Sequence, residues 1–144
     1  DLASGLAVGT QKNTGMSAAL QTAQAILETG WGQSVPVDKY TGQFSNNLFG
    51  IKGAGSAGSV TSNTWEEYND QFRAYNNVGE SWDDHNDLLL TRERYAPFRE
   101  VMFDSTQGAW ALRRCGYATD SQYSIKLINL INTYDLKKLD QVGI

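Results

Sequence analysis

Acid–base chemistry in this chain points first to one glutamate. In the stretch from Leu20 to Gly32, residues Leu20, Ala23, Leu27 and Trp31 recur at helical spacing and make one apolar stripe, while Gly30 and Gly32 are placed to stop the helix. Glu28 therefore falls in the last turn. Unpaired carbonyls give a helix C-terminus partial negative charge, so an ionised carboxylate is disfavoured there and its pKa is expected to rise above the free value of about 4.3. A general acid needs that property. The indole of Trp31, three residues on, is expected to exclude water and push the same way. The competing reading of Glu28 is an ordinary solvated glutamate.

Glu66 and Glu67 lie in Val60 to Tyr68, a stretch with β-favouring residues. Strand side chains alternate faces, so Glu66 and Glu67 cannot both point the same way if the strand is regular. Other catalysts are poorly provided for. Cys115 is the single cysteine and His85 the single histidine, so there is no intramolecular disulfide and no His/Cys cluster at metal-ligand spacing. No metal and no cofactor is expected. A nucleophilic triad would have to recruit His85, which lies within Trp82-Asp83-Asp84-His85-Asn86-Asp87, where a buried, hydrogen-bonded histidine is the commoner role.

The elements that must hold these groups can be read in order. A chain of 144 residues, 40% hydrophobic and 19% charged, fits one globular domain spanning 1–144. Residues 1–15 are weakly periodic and read as a lead-in segment with at most a short helix. The first helix runs from Met16 to about Thr29, and Gln33 to Ser45 is a polar connection. Val60 to Tyr68 and Gln71 to Tyr75 are expected strands about a two-residue turn at Asn69-Asp70. Asn77 and Glu80 read as a capping pair for a helix to about Thr91 with Trp82, His85, Leu88 and Leu89 on one face. Pro97 opens a short helix to about Phe103, and Ser105 or Thr106 opens one to Cys115 that Gly116 stops. Thr119 or Asp120 caps a last helix striped with Leu127, Ile128, Ile131 and Tyr134. Phe72, Trp82 and Trp110 are assigned to the core. The class is α+β, mainly helical.

Charge and hydropathy narrow the partners. A net charge of −4 argues against nucleic acid and offers no basic patch for a membrane. No run of eighteen apolar residues exists, so no membrane insertion is expected. The start at Asp1, without a signal-peptide layout, reads as a mature product or an excised piece.

AQAILETGWG, NNLFGIKG from Asn46, QFRAYNNVGESWDDHNDLLL from Gln71, RYAPF from Arg94 and GYATDSQYSIKLINLI from Gly116 together resemble the family 73 glycoside hydrolases. These are bacterial N-acetylglucosaminidases that cut peptidoglycan glycan chains, and the resemblance runs from about Met16 to Tyr134. Flagellum-associated, autolysin and phage-lysin members are the nearest in flavour. The resemblance implies a lysozyme-like α-lobe facing a small β-hairpin lobe across a substrate groove. It also implies hydrolysis of the β-1,4 bond between N-acetylglucosamine and N-acetylmuramic acid, by a monomeric catalytic domain of a larger protein. Such a protein acts outside the cytoplasm, secreted to the wall or periplasm or delivered by a phage.

On this resemblance Glu28 is the general acid, being the Glu of the E-[ST]-G-W-G motif. Glu67, which directly precedes Tyr68, is preferred over Glu66 as base or stabiliser, although the link to Phe72-Arg73-Ala74-Tyr75 is shorter than the family pattern. Tyr117 lines the site and orients the N-acetyl group or the water. Trp31, Phe49, Tyr75 and Tyr95 are candidate platforms for sugar rings, and Asn47, with Asn46, a candidate hydrogen-bonding residue; core packing and turn formation are the alternatives for these. Carboxyl separations of about 5–5.5 Å would mark a retaining route and about 6.5–9.5 Å an inverting one, with assistance by the acetamido group a third. Water attack with inversion, or acetamido assistance, is the preferred route. The same fold could instead carry a muramidase, a lytic transglycosylase using Glu28 alone, or a non-catalytic wall-binding module.

Overall fold

A computed structural model describes residues 2–62 and 69–142. Among them are seven α-helices and one two-stranded sheet, the mainly helical α+β class that the sequence predicts. The helices are α1 (Leu2–Thr14), α2 (Ala18–Thr29), α3 (Val78–Thr91), α4 (Ala96–Arg99), α5 (Ser105–Arg114), α6 (Tyr123–Thr133) and α7 (Lys137–Val142). The strands are β1 (Ser59–Thr61) and β2 (Gln71–Arg73). Contacts divide the chain into two units, one of residues up to Leu27 and from Asp87 onward, the other from Glu28 to Asn86.

The first unit is an apolar helical bundle. Leu20 and Ala23 of α2 are fully buried with Leu89, Phe98, Leu112, Leu127 and Ile131, and Leu27 packs against the same cluster. Gly108 lets α5 come close, since a Cβ there would stand 2.8 Å from Leu20 Cδ2. The expected stripe thus holds as far as Leu27. Trp110 and Tyr134, expected in the core and on the apolar stripe of the last helix, are 41% and 52% exposed. Tyr134 is the C-cap of α6, where the stripe has already run out.

Residues 1–15 are more than a lead-in, because α1 is a full thirteen-residue helix. Its weak periodicity hides a polar anchor. Buried Gln11 accepts from the Ala18 amide at 2.8 Å through Oε1 and donates to the Asp140 carbonyl at 2.8 Å through Nε2. The Asp140 carboxylate in turn accepts from the Ala19 amide at 2.9 Å and the Ser17 hydroxyl at 2.9 Å. Unpaired amides at the start of α2 are so satisfied by side chains from both ends of the chain, an anion sitting where the helix dipole favours one.

α5 opens at Ser105, one of the two predicted starts, and Asp104 caps it by accepting from the Gln107 amide at 2.9 Å. Asp120 spends its carboxylate on a turn, accepting from the Gln122 amide at 2.9 Å, so α6 begins three residues later. The helix at Pro97 stops at Arg99.

In the second unit β1 and β2 are antiparallel with Val60 opposite Phe72 and Thr61 opposite Gln71. That register excludes a two-residue turn at Asn69-Asp70, which would have paired Tyr68 with Gln71. Residues 63–68, within the connection, lie outside the described residues. The other edge of β2 is lined by a bridge from Lys52 to Phe72. Asn77 caps α3 as predicted, its Oδ1 accepting from the Glu80 amide at 2.9 Å; the Glu80 carboxylate reaches back to the Asn76 amide at 3.0 Å.

Candidate functional site

Glu28 is half-buried in the last turn of α2, as the glycine positions require. Beyond Thr29 three successive residues adopt left-handed backbone, Gly30 at φ 54°, Trp31 at 64° and Gly32 at 85°. Only the glycines do so without strain. The Thr29 hydroxyl accepts from the Gly32 amide at 2.8 Å and its carbonyl from the Ser34 amide at 2.8 Å, which holds the reversal. Trp31 is 55% exposed, so the expected shield is instead an open, flat face.

Opposite the Glu28 carboxyl lies the NNLFGIKG segment. Gly50 has φ 64°, and a Cβ there would stand 3.4 Å from Glu28 Oε2. What shapes this turn is Asn47, wholly buried. Its Oδ1 accepts from the Phe49 and Ile51 amides at 3.3 and 3.2 Å, while Nδ2 donates to the Ile51 and Arg73 carbonyls at 2.8 and 3.0 Å. Asn46 Nδ2 donates to the Tyr75 carbonyl at 2.9 Å. Both asparagines bond to the backbone, the turn-forming alternative.

Two of the expected sugar platforms in this unit are also buried. Phe49 is 3% exposed and stacks on His85 at 3.7 Å between ring centroids, with its edge toward Trp82 at 5.0 Å. Burial holds His85 well below the usual imidazole range, at about 3, so it is neutral at neutral pH. Tyr75 is equally buried; its hydroxyl donates to Asp84 Oδ2 at 2.5 Å, the oxygen that Arg73 pairs with at 2.8 Å. Burial first, and the Asp84 carboxylate second, push the Tyr75 phenol upward. Arg73, Tyr75 and Asp84 line a polar cleft of about 370 Å³ together with Ser56, Glu80 and Asp83.

In the helical unit, Tyr117 is partly buried beside Tyr123 at 5.7 Å and Tyr95 at 6.2 Å between centroids. Tyr123 accepts from Gln24 Nε2 at 3.0 Å, and Gln24 lies on α2 one turn before Glu28. Tyr95 is 3% exposed, with the Arg94 guanidinium over its ring and bonded to its hydroxyl at 2.6 Å. Glu67 and Glu66 lie outside the described residues.

Two aromatics escaped the sequence reading. Tyr40 is 77% and Phe44 73% exposed, on a turn closed by a bridge between Val37 and Phe44. Asp38 builds that turn, accepting from the Thr41 amide at 2.8 Å, the Tyr40 amide at 3.1 Å and the Thr61 amide at 2.8 Å, bonds that hold its carboxyl below the usual range. The signal was an Asx-type turn at Asp38 followed by Gly42; exposure of the aromatics was not readable, because apolar rings default to the core.

The Glu28 carboxyl stands at the end of α2 on a mainly helical α+β frame, and carboxyl groups are the groups through which glycoside hydrolases work. A family model described as mannosyl-glycoprotein endo-beta-N-acetylglucosaminidase matches residues 5–136, and the chain belongs to this glucosaminidase family. It is 39% identical over 129 residues to peptidoglycan hydrolase FlgJ of Escherichia coli (strain K12), covering 83% of this chain and 41% of that protein. To exo-glucosaminidase LytG of Bacillus subtilis it is 36% identical over 133 residues, covering 84% and 45%. The crystal structure of a peptidoglycan hydrolase from Sphingomonas sp. A1 superposes with a TM-score of 0.77 at 35% identity, over 97% of this chain and 90% of that one. The chain spans less than half the length of the two curated relatives.

Proposed function

We propose that the chain is the catalytic domain of an endo-β-N-acetylglucosaminidase that hydrolyses β-1,4 bonds of peptidoglycan glycan strands outside the cytoplasm, as part of a longer protein. The reading is carried by one observation, the half-buried Glu28 carboxyl set at the end of α2 against side-chain-free backbone at Gly50. Glu28 gives its proton to the glycosidic oxygen as the bond to the anomeric carbon breaks. Glu67, or the substrate's own acetamido oxygen, stabilises the developing cation and supports attack by water. Tyr117 orients that water or the N-acetyl group.

Sugar rings are held on the exposed faces of Trp31, Tyr40 and Phe44 rather than on Phe49, Tyr75 or Tyr95, whose rings are buried. With a net charge of −4, ring stacking and hydrogen bonds rather than attraction to an anionic polymer supply affinity. Among the described residues no helix is long and apolar enough to cross a membrane.

Mass spectrometry of digested peptidoglycan tests activity and bond choice together. Oligomeric products with N-acetylglucosamine at the reducing end are expected, and Glu28→Gln should remove them while leaving the circular-dichroism spectrum unchanged. N-acetylmuramic acid ends would identify a muramidase, anhydro ends a lytic transglycosylase, and single sugars an exo-acting enzyme. Wall binding without products would mark a non-catalytic module.

A further inference from the structure

Asn47 and Gly50 are the least expected features beside Glu28. One is a wholly buried amide that hydrogen-bonds to backbone through both its oxygen and its nitrogen, and the other a left-handed residue whose missing side chain leaves room for a carboxyl oxygen. Asn47 also ties the turn to β2 through the Arg73 carbonyl, whereas the β1–β2 ladder itself pairs through residues 59–61 and 71–73. We infer that the turn from Asn47 to Ile51 is a positioning device for Glu28: Asn47 locks the turn, and the bare Cα of Gly50 sets where Oε2 can stand. The inference rests on Glu28 being the general acid, and it makes Gly50 and Asn47 positioning residues rather than sugar ligands.

At 3.4 Å a single methyl would rest in ordinary van der Waals contact with Oε2, so a longer side chain aimed the same way would have to displace the carboxyl. Proton transfer demands a heavy-atom approach of about 2.6–3.2 Å, so moving the acid by an ångström costs rate without abolishing substrate binding.

Two substitutions separate this from backbone strain. Gly50→Ala adds one methyl and keeps the full cost of a left-handed alanine; Gly50→Asn adds a larger side chain but tolerates the conformation better. Strain alone ranks alanine as the more harmful. A positioning role ranks asparagine as at least as harmful to turnover, even though it is the more stable variant. Gly15→Ala is the control, since Gly15 is left-handed at φ 84° with open space around its Cβ position.

On soluble muropeptide oligomers, kcat is expected to fall about tenfold or more in both Gly50 variants with KM changed less than about threefold, and the pH profile of kcat to shift. Gly15→Ala should stay within about twofold of wild type. Carbon-13 titration of the Glu28 carboxyl gives a reading that needs no turnover: its midpoint should move by about half a unit or more in Gly50→Asn. An unmoved midpoint, or a Gly50→Asn enzyme with wild-type kcat and pH profile, overturns the inference. Full activity in Glu28→Gln would instead overturn the catalytic assignment, leaving the carboxyl titration to decide the positioning claim.

Discussion

The two units of this protein are stabilised by different means. The helical unit buries a continuous set of aliphatic and aromatic side chains, with Leu20, Leu112, Leu127 and Ile131 at its centre. Among its described residues, the unit from Glu28 to Asn86 buries Val60, Phe72 and Ala74 beneath its sheet and Phe49 and Trp82 beside His85, and it adds single polar side chains that each tie up several backbone groups, Asn47 and Asp38 above all. Apolar packing tolerates volume-conserving change; a polar anchor does not, because removing it leaves buried carbonyls and amides without partners. The proposed acid starts the polar unit, at the end of a helix that the apolar unit anchors.

This contrast can be broken by substitution. Leu127→Ala should cost about 2–5 kcal/mol in urea unfolding by leaving a cavity, and Asn47→Ala a similar about 2–4 kcal/mol by stranding the Ile51 and Arg73 carbonyls. A loss below about 0.5 kcal/mol for Asn47→Ala would show the polar unit not to depend on its anchor. Next in size is the effect of pH. The folded chain holds His85 at about 3 against about 6.5 when unfolded, so below pH 6.5 the unfolded state takes up a proton that the folded state refuses. Stability should fall toward acid by about 1.4 kcal/mol per pH unit more than in His85→Gln, between about pH 6 and 4. Equal slopes in the two proteins would refute this.

A smaller effect is expected at the start of α2. Asp140→Asn should cost about 1 kcal/mol by weakening the anion at the helix N-terminus, and salt should shrink the difference. Smallest are the exposed rings: Trp31→Ala, Tyr40→Ala and Phe44→Ala should each raise KM for glycan oligomers a few-fold with thermal stability within about 2 °C. An unaltered KM in all three would leave the proposed ring contacts without support.

What the sequence made legible follows the same division. The helix carrying Glu28, its glycine stop, the Asn77 and Glu80 cap and the stripe through Leu127 were readable because periodicity and capping act within a few residues of chain. The span of α1 and the existence of α7 were not, since Gln11 and Asp140 are 129 residues apart and only folding brings them together. For Asn47, Phe49, Tyr75 and Tyr95 the sequence left sugar contact and burial both open, for a related reason. An asparagine or aromatic ring has the same local signature whether it meets a sugar or a buried backbone, and burial decides which.

The clamp of Asp140 on Ser17 and Ala19 has a practical corollary. The stretch recognised by the family model ends at residue 136, four positions short of that aspartate. A fragment trimmed to those limits would keep every motif yet release the opening turn of the helix that ends in Glu28. Residues beyond the last family motif thus help to hold the opening of the helix that ends in Glu28.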